Sequence, residues 1–155
     1  MNLMLITWIG GLALIVTLAI LAWIDHKTYR LPNKLTFPLI FGGLLYQFIL
    51  ALDFYPYLLG AVLGYAIFWV IENAYRVVRK KDGLGRGDAK LLAAGGAWCG
   101  AFALPFIILL ASSTALCFVM LKSKDERQDL KLALGPYIAG SIAVLFLYIS
   151  VVGKL

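Results

Sequence analysis

Two acids are placed for chemistry. Asp88 closes the glycine-rich break Asp82-Gly83-Leu84-Gly85-Arg86-Gly87-Asp88 and opens a new apolar run, and Asp25 stands at the exit of the first apolar run. Two carboxylates held close together do not both ionise easily, so one keeps a proton while the other stays charged. In that state the charged member takes a proton from water and the neutral member polarises a carbonyl. Helix ends bias the division of labour, because an anion is favoured at an N-terminus and disfavoured at a C-terminus. Asp88 opens a helix and Asp25 closes one, so the proton is expected on Asp25. Taken singly, each acid has a plainer reading. Asp88 would be a helix N-cap, and Asp25 an interfacial residue balanced by Lys27 or Arg30. A phosphate cradle is disfavoured, since it would not place an acid at the mouth of the helix.

The elements that must position these acids are membrane helices. The chain has 155 residues, 63% of them apolar, with a mean hydropathy of +0.91. That is more apolar surface than one small soluble core buries, and several runs approach or exceed the ~18 residues of a spanning helix. The expected fold is an all-α membrane protein, a bundle of six transmembrane helices in one domain over 1–155. The spans run from Leu3 to Ile24, about Leu35 to Leu52, about Pro56 to Val78, Ala89 to Ala103, about Leu104 to Leu121 and about Leu132 to Val152. The fourth is short, rising only ~22 Å against a bilayer core of ~30 Å. Pro32 stops any helix before it, and Asn33 is a good N-cap for the second span. The opening residues lack the basic flank of a cleaved leader, so the first span is expected to be permanent.

Charge sets the orientation. Thirteen of the 14 Lys and Arg fall in the segments 27–34, 76–90 and 122–131, and only Lys154 lies elsewhere. Six alternating spans put those three segments on one side, which the positive-inside rule makes cytosolic, with both termini outside. The net charge of +6 is thereby explained without a nucleic-acid partner. Cys99 and Cys117 sit in apolar runs without metal-ligand or disulfide spacing, so no metal and no cofactor is expected.

Four ordered motifs carry a family resemblance over roughly residues 20 to 140. Leu84-Gly85-Arg86-Gly87-Asp88-Ala89-Lys90 is similar to the GxGD motif of the type IV prepilin peptidases, polytopic aspartyl proteases of the cytoplasmic membrane. Asp25 followed by Leu31-Pro32-Asn33-Lys34-Leu35-Thr36 resembles their first-aspartate motif. The stretch Lys90 to Trp98 resembles the family's sequence just after its second aspartate, and Gly135-Pro136-Tyr137-Ile138-Ala139 resembles a late element of the family. The resemblance implies an inner-membrane aspartyl endopeptidase with Asp25 and Asp88 catalytic and its site facing the cytosol. Its substrates would be prepilins or pseudopilins of a type IV pilus or secretion system, whose short basic leader is cut after a glycine ahead of an apolar helix. Larger members carry a segment with paired CxxC motifs, associated with N-methylation; its absence before Asp25 leads to the expectation of a peptidase core only.

Around the acids, Gly85, Gly87 and Lys90 are expected to form the active-site loop. Pro32, Asn33, Glu72, Gly135 and Pro136 are expected near the site, as substrate contacts or supports. Glu72 has Arg76 four residues on, the favourable order for a helical pair. Lys90 is expected to snorkel to the interface, His26 to sit at the interface, and Gly135-Pro136 to loosen the start of the sixth span. Asp125, Glu126 and Asp129 read as a solvated mixed-charge loop. A rival reading is a small transporter or proton-relay subunit with Asp25, Glu72 and Asp88 lining a path, although the acids cluster towards one face. A non-catalytic scaffold is the third. The bilayer is the certain partner; the oligomeric state is left open.

Overall fold

A computed structural model describes residues 3–50, 53–79, 86–122 and 132–152. The described residues form six α-helices and a short 3-10 turn, with no strand: α1 (Leu3–Thr28), α2 (Asn33–Leu50), α3 (Tyr55–Arg79), α4 (Arg86–Cys99), the 3-10 turn Ala101–Ala103, α5 (Leu104–Leu121) and α6 (Gly135–Val152). Among the described residues, four stretches are long and apolar enough to cross a membrane: Ile6–Thr28, Tyr55–Ala74, Ala101–Leu121 and Gly135–Val152. Trp8, Leu12, Phe41, Phe48, Leu109 and Val151 project outward and exposed. Such large apolar groups are costly in water and at home against lipid tails. The chain is thus an all-helical, multi-pass membrane protein.

At the centre lies α4. It packs against α2, α3, α5 and α6, and every residue from Leu91 to Gly100 is buried. Its 14 residues rise only about 21 Å, the shortness foreseen from sequence. Because protein rather than lipid surrounds it, this helix has no bilayer thickness to match. Its end is abrupt. Gly100 takes φ 84°, a left-handed conformation that glycine adopts without a Cβ penalty, and Pro105 then occupies the first turn of α5, where its missing N–H costs nothing.

Close approach holds α3 against α4. A Cβ on Gly60 would run into the Gly96 carbonyl, and one on Gly96 would run into Gly60, so two backbones meet where side chains have no room. One helical turn along, Gly64 lies on Leu92 and Ala93. On the other flank, α2 is tied to α4 by polar groups inside the bundle. Trp98 Nε1 donates to the Leu39 carbonyl at 2.9 Å, and Gln47 Nε2 donates to the Trp98 carbonyl at 2.6 Å. The Trp98 ring lies 5.0 Å from Tyr46 and 5.6 Å from Phe146. Leu14, Leu18 and Leu21 bury the inner face of α1, which packs mainly on α6.

Three boundaries depart from the sequence expectation. First, α1 continues past Ile24 to Thr28, because the Asp25 carbonyl still accepts the Tyr29 N–H at 2.8 Å. Second, α4 begins at Arg86 rather than Ala89, so Asp88 lies inside the first turn and not in front of it. Third, Gly135-Pro136 does not loosen the last helix but starts it. The Leu134 carbonyl accepts the N–H groups of Tyr137 and Ile138, both at 3.1 Å, and proline in a first turn loses no hydrogen bond. Asn33 is likewise not the cap of α2. The Pro32 carbonyl accepts the Leu35 and Thr36 N–H groups, and the Asn33 side chain is used elsewhere.

Candidate active site

Asp25 is reached through the last turn of α1, on the same face as Leu14, Leu18 and Leu21, and only 5% of it is exposed. That helical register turns its carboxyl inward, towards the start of α6. Gly135 N–H donates to Asp25 Oδ2 at 3.0 Å. A Cβ on Gly135 would strike the same carboxyl group, so only glycine brings α6 this close. Lys27 Nζ lies 4.4 Å over the Trp23 ring, on the outward face, and His26 is exposed. The plainer interfacial reading of Asp25 is therefore not what the geometry shows.

Asp88 comes from the first turn of α4 and is 9% exposed. Leu31, in the connection between α1 and α2, packs directly on Gly87, where a Cβ would collide with it. Gly87 thus serves close packing rather than a flexible loop, and this contact seats the α1–α2 connection against the turn that carries Asp88. Burial and the nearby Asp25 charge push the Asp88 carboxyl up to about 7; it stands outside the four apolar spans. Two buried acids near enough to perturb one another are the requirement for sharing a proton.

Two tertiary features bear on which acid holds the proton. Considered alone, the C-terminal end of α1 disfavours an anion at Asp25. In the fold, Asp25 also faces the N-terminal end of α6 and accepts a backbone N–H there, and a hydrogen bond to the charged form favours that form. Asp88 is desolvated and stands beside a like charge, and both favour its neutral form.

Lys90 reaches across to the start of α2. Its Nζ donates to Asn33 Oδ1 at 2.5 Å and lies 5.1 Å over the Phe37 ring, so it clamps the start of α2 to α4. Pro32 supplies the carbonyl that begins α2. Glu72 is buried, at 7% exposure. With Gly60 opposite Gly96 and Gly64 opposite Leu92, two further turns of α3 bring Glu72 about level with the start of α4. Its expected pairing with Arg76 involves a side chain outside the described residues, as do Gly85 and the acids of the 122–131 segment. Pro136 points away from Asp25 and lines a crevice against α5. No group of three or more acidic, His or Cys residues is arranged to hold a metal among the described residues.

Sequence reasoning gave no role to Leu31, Phe37 or the Gly135 N–H. A demand for glycine at position 87 signals a close neighbour without naming it, and an aromatic one turn after Asn33 is a weak cue. A backbone donor from a helix more than 100 positions away leaves no local trace.

The sequence profile of the Type IV leader peptidase family matches residues 12–120. Among curated proteins, the chain is 43% identical to the prepilin leader peptidase/N-methyltransferase of Dickeya chrysanthemi, over 88% of this chain and 52% of that one. It is 40% identical to the protein of the same name from Escherichia coli (strain K12), over 77% and 54%, and 46% identical to that of Klebsiella pneumoniae, over 69% and 47%. The chain therefore spans about half the length of the curated relatives it matches. No solved structure matches it. With its profile match extending from the first helix through the fifth, and thus across both acids, the chain belongs to the Type IV leader peptidase family.

Proposed function

We propose that this chain is an aspartyl endopeptidase domain of the inner membrane that removes the short basic leader of type IV prepilins or pseudopilins. The observation that carries the reading is the meeting of Asp25 and Asp88: two acids distant in sequence, both buried, one perturbing the other. Six spans over 1–155, with termini outside and the basic segments inside, put the pair at the cytosolic face. There a leader lying in the cytosol is cut after a glycine, just ahead of its apolar helix.

In the proposed mechanism Asp25, which accepts the Gly135 N–H, takes a proton from a water molecule, and the hydroxyl adds to the scissile carbonyl carbon. Asp88, holding the shared proton, donates a hydrogen bond to the carbonyl oxygen and stabilises the charge that develops there. The tetrahedral species then collapses, the C–N bond breaks, and the proton on Asp25 passes to the leaving nitrogen. Lys90, Asn33, Pro32 and Gly87 hold the two acid-bearing turns together. Glu72 lines the same end of the bundle.

The test is cleavage of a prepilin-type peptide (basic leader, glycine, apolar helix) by the purified protein in detergent. Cleavage after the glycine, lost in both Asp25→Asn and Asp88→Asn, is the expected result. Cleavage surviving either substitution would sink the mechanism. Ion or proton flux in proteoliposomes without cleavage would favour a transport role instead.

A further inference from the structure

The bundle carries an apolar groove along one flank. α1 and α2 are joined by a short connection yet pack sparsely on one another, since α1 leans on α6 and α2 on α4. Between them opens a groove walled by Ile9, Ala13 and Thr17 of α1 and by Pro38, Gly42 and Leu45 of α2. Trp98 and Tyr46 reach its floor. The α2 wall runs from Leu35 to Ile49, a length of about 21 Å at the helical rise.

Three features define what fits. No charged side chain lines the groove, and two of its hydrogen-bonding groups are already engaged: Thr17 Oγ1 donates to the Ala13 carbonyl at 2.7 Å and Trp98 Nε1 to that of Leu39. An occupant is therefore held by apolar surface and not by a headgroup. Ala13 and Gly42 are small, which lets a third helix axis approach two others closely. The groove is also continuous with the acid site. Its α2 wall starts two residues beyond Asn33, which Lys90 clamps to the turn holding Asp88, next to Leu31 on Gly87. A second crevice runs between α5 and α6 around Gly140. It lies on the side of α6 opposite Gly135, Ala139 and Ile142, the face that meets Asp25.

We infer that the α1–α2 groove seats the apolar helix of the substrate, running parallel to α2 so that its N-terminal end emerges beside Asp25 and Asp88. This rests on the peptidase reading above. It adds where specificity resides: a leader is cut because the helix behind it is docked, with the scissile bond presented at the helix start.

The test uses the full chain in detergent and a peptide of basic leader, glycine and about 20 apolar residues, with a diazirine amino acid midway along the apolar part. In the Asp88→Asn protein, photolysis is expected to label α1 and α2. Gly42→Leu fills the groove at a position where a Cβ meets only the Trp98 ring, at 4.0 Å, and Ala13→Leu fills it from the exposed opposite wall. Each is expected to cut that labelling about tenfold. In the active enzyme each lowers the ratio of kcat/KM for the long peptide to that for one ending four residues past the glycine, again about tenfold. Gly140→Leu, in the other crevice where a Cβ meets nothing within 4 Å, leaves both readouts alone. Labelling on α5 and α6, labelling of detergent or lipid only, or an unchanged ratio in both groove variants overturns the inference. Groove labelling by a wild-type protein that cuts neither peptide supports the docking and sinks the peptidase reading, so the two failures are distinct.

Discussion

The two ends of α4 bury polar groups in opposite ways. At its C-terminal end, Trp98 and Gln47 are neutral and each donates to one backbone carbonyl, so the cost of desolvation is met bond for bond. At its N-terminal end, two carboxyls are desolvated together and one raises the other. A neutral network of the first kind fixes the register of two helices and costs little. A pair of like-charged acids destabilises the fold it sits in, and that arrangement is retained where chemistry needs a shared proton.

The comparison breaks or sharpens most at the acids. Asp25→Asn or Asp88→Asn is expected to lower prepilin-peptide cleavage about 1,000-fold or more, read as kcat/KM in detergent. Stability moves the other way. Folded Asp88 keeps its proton up to about pH 7, whereas the unfolded carboxyl loses it near 3.8. The unfolded state therefore binds fewer protons between those values, and stability falls as pH rises through that window. Asp88→Asn is expected to flatten this slope and to raise Tm at pH 8, measured by thermal unfolding in detergent across pH. A Tm lowered by the substitution at pH 8 would mean that Asp88 is structurally satisfied, like Trp98.

At the middle of α4, Gly96→Val should cost about 3 kcal/mol or more, since it drives a branched side chain into the Gly60 backbone. Loss of monodisperse protein on size exclusion is the readout. At the far end, Trp98→Phe removes the donor to Leu39 and should cost about 1–2 kcal/mol while cleavage per folded molecule stays within about twofold. At the clamp the effect falls on cleavage rather than on stability. Lys90→Met and Asn33→Ala should each lower kcat/KM by about tenfold, and the double variant by no more than either alone, because both remove one interaction. Additive losses would separate the two residues.

Helix order and the acid pair were legible in the sequence for different reasons. The apolar runs announce their helices by length, and α3 and α5 fall within a residue or so of the expected bounds. Asp25 and Asp88 were singled out because acids beside long apolar runs are costly without a purpose. Which of them holds the proton depends also on Gly135 of α6 meeting the end of α1, a tertiary contact with no local signature. The start of α4 was misplaced because glycine at position 87 reads as a break. In the fold it is a helical residue with Leu31 seated on it. The clamp was missed for the same kind of reason: Lys90 beside a membrane reads as a snorkelling cation until Asn33 and Phe37 are brought opposite it.

The sheath of helices around α4 has a consequence for where such a protein can work. A helix facing acyl chains must tilt, or strain its surroundings, when the membrane thickens or thins. α4 is bounded by its own neighbours along its buried length, so the spacing and depth of the groups it carries are referenced to the bundle. Transfer to a membrane of different lipid composition would then re-tilt the outer helices before it shifted Asp88 within the bundle.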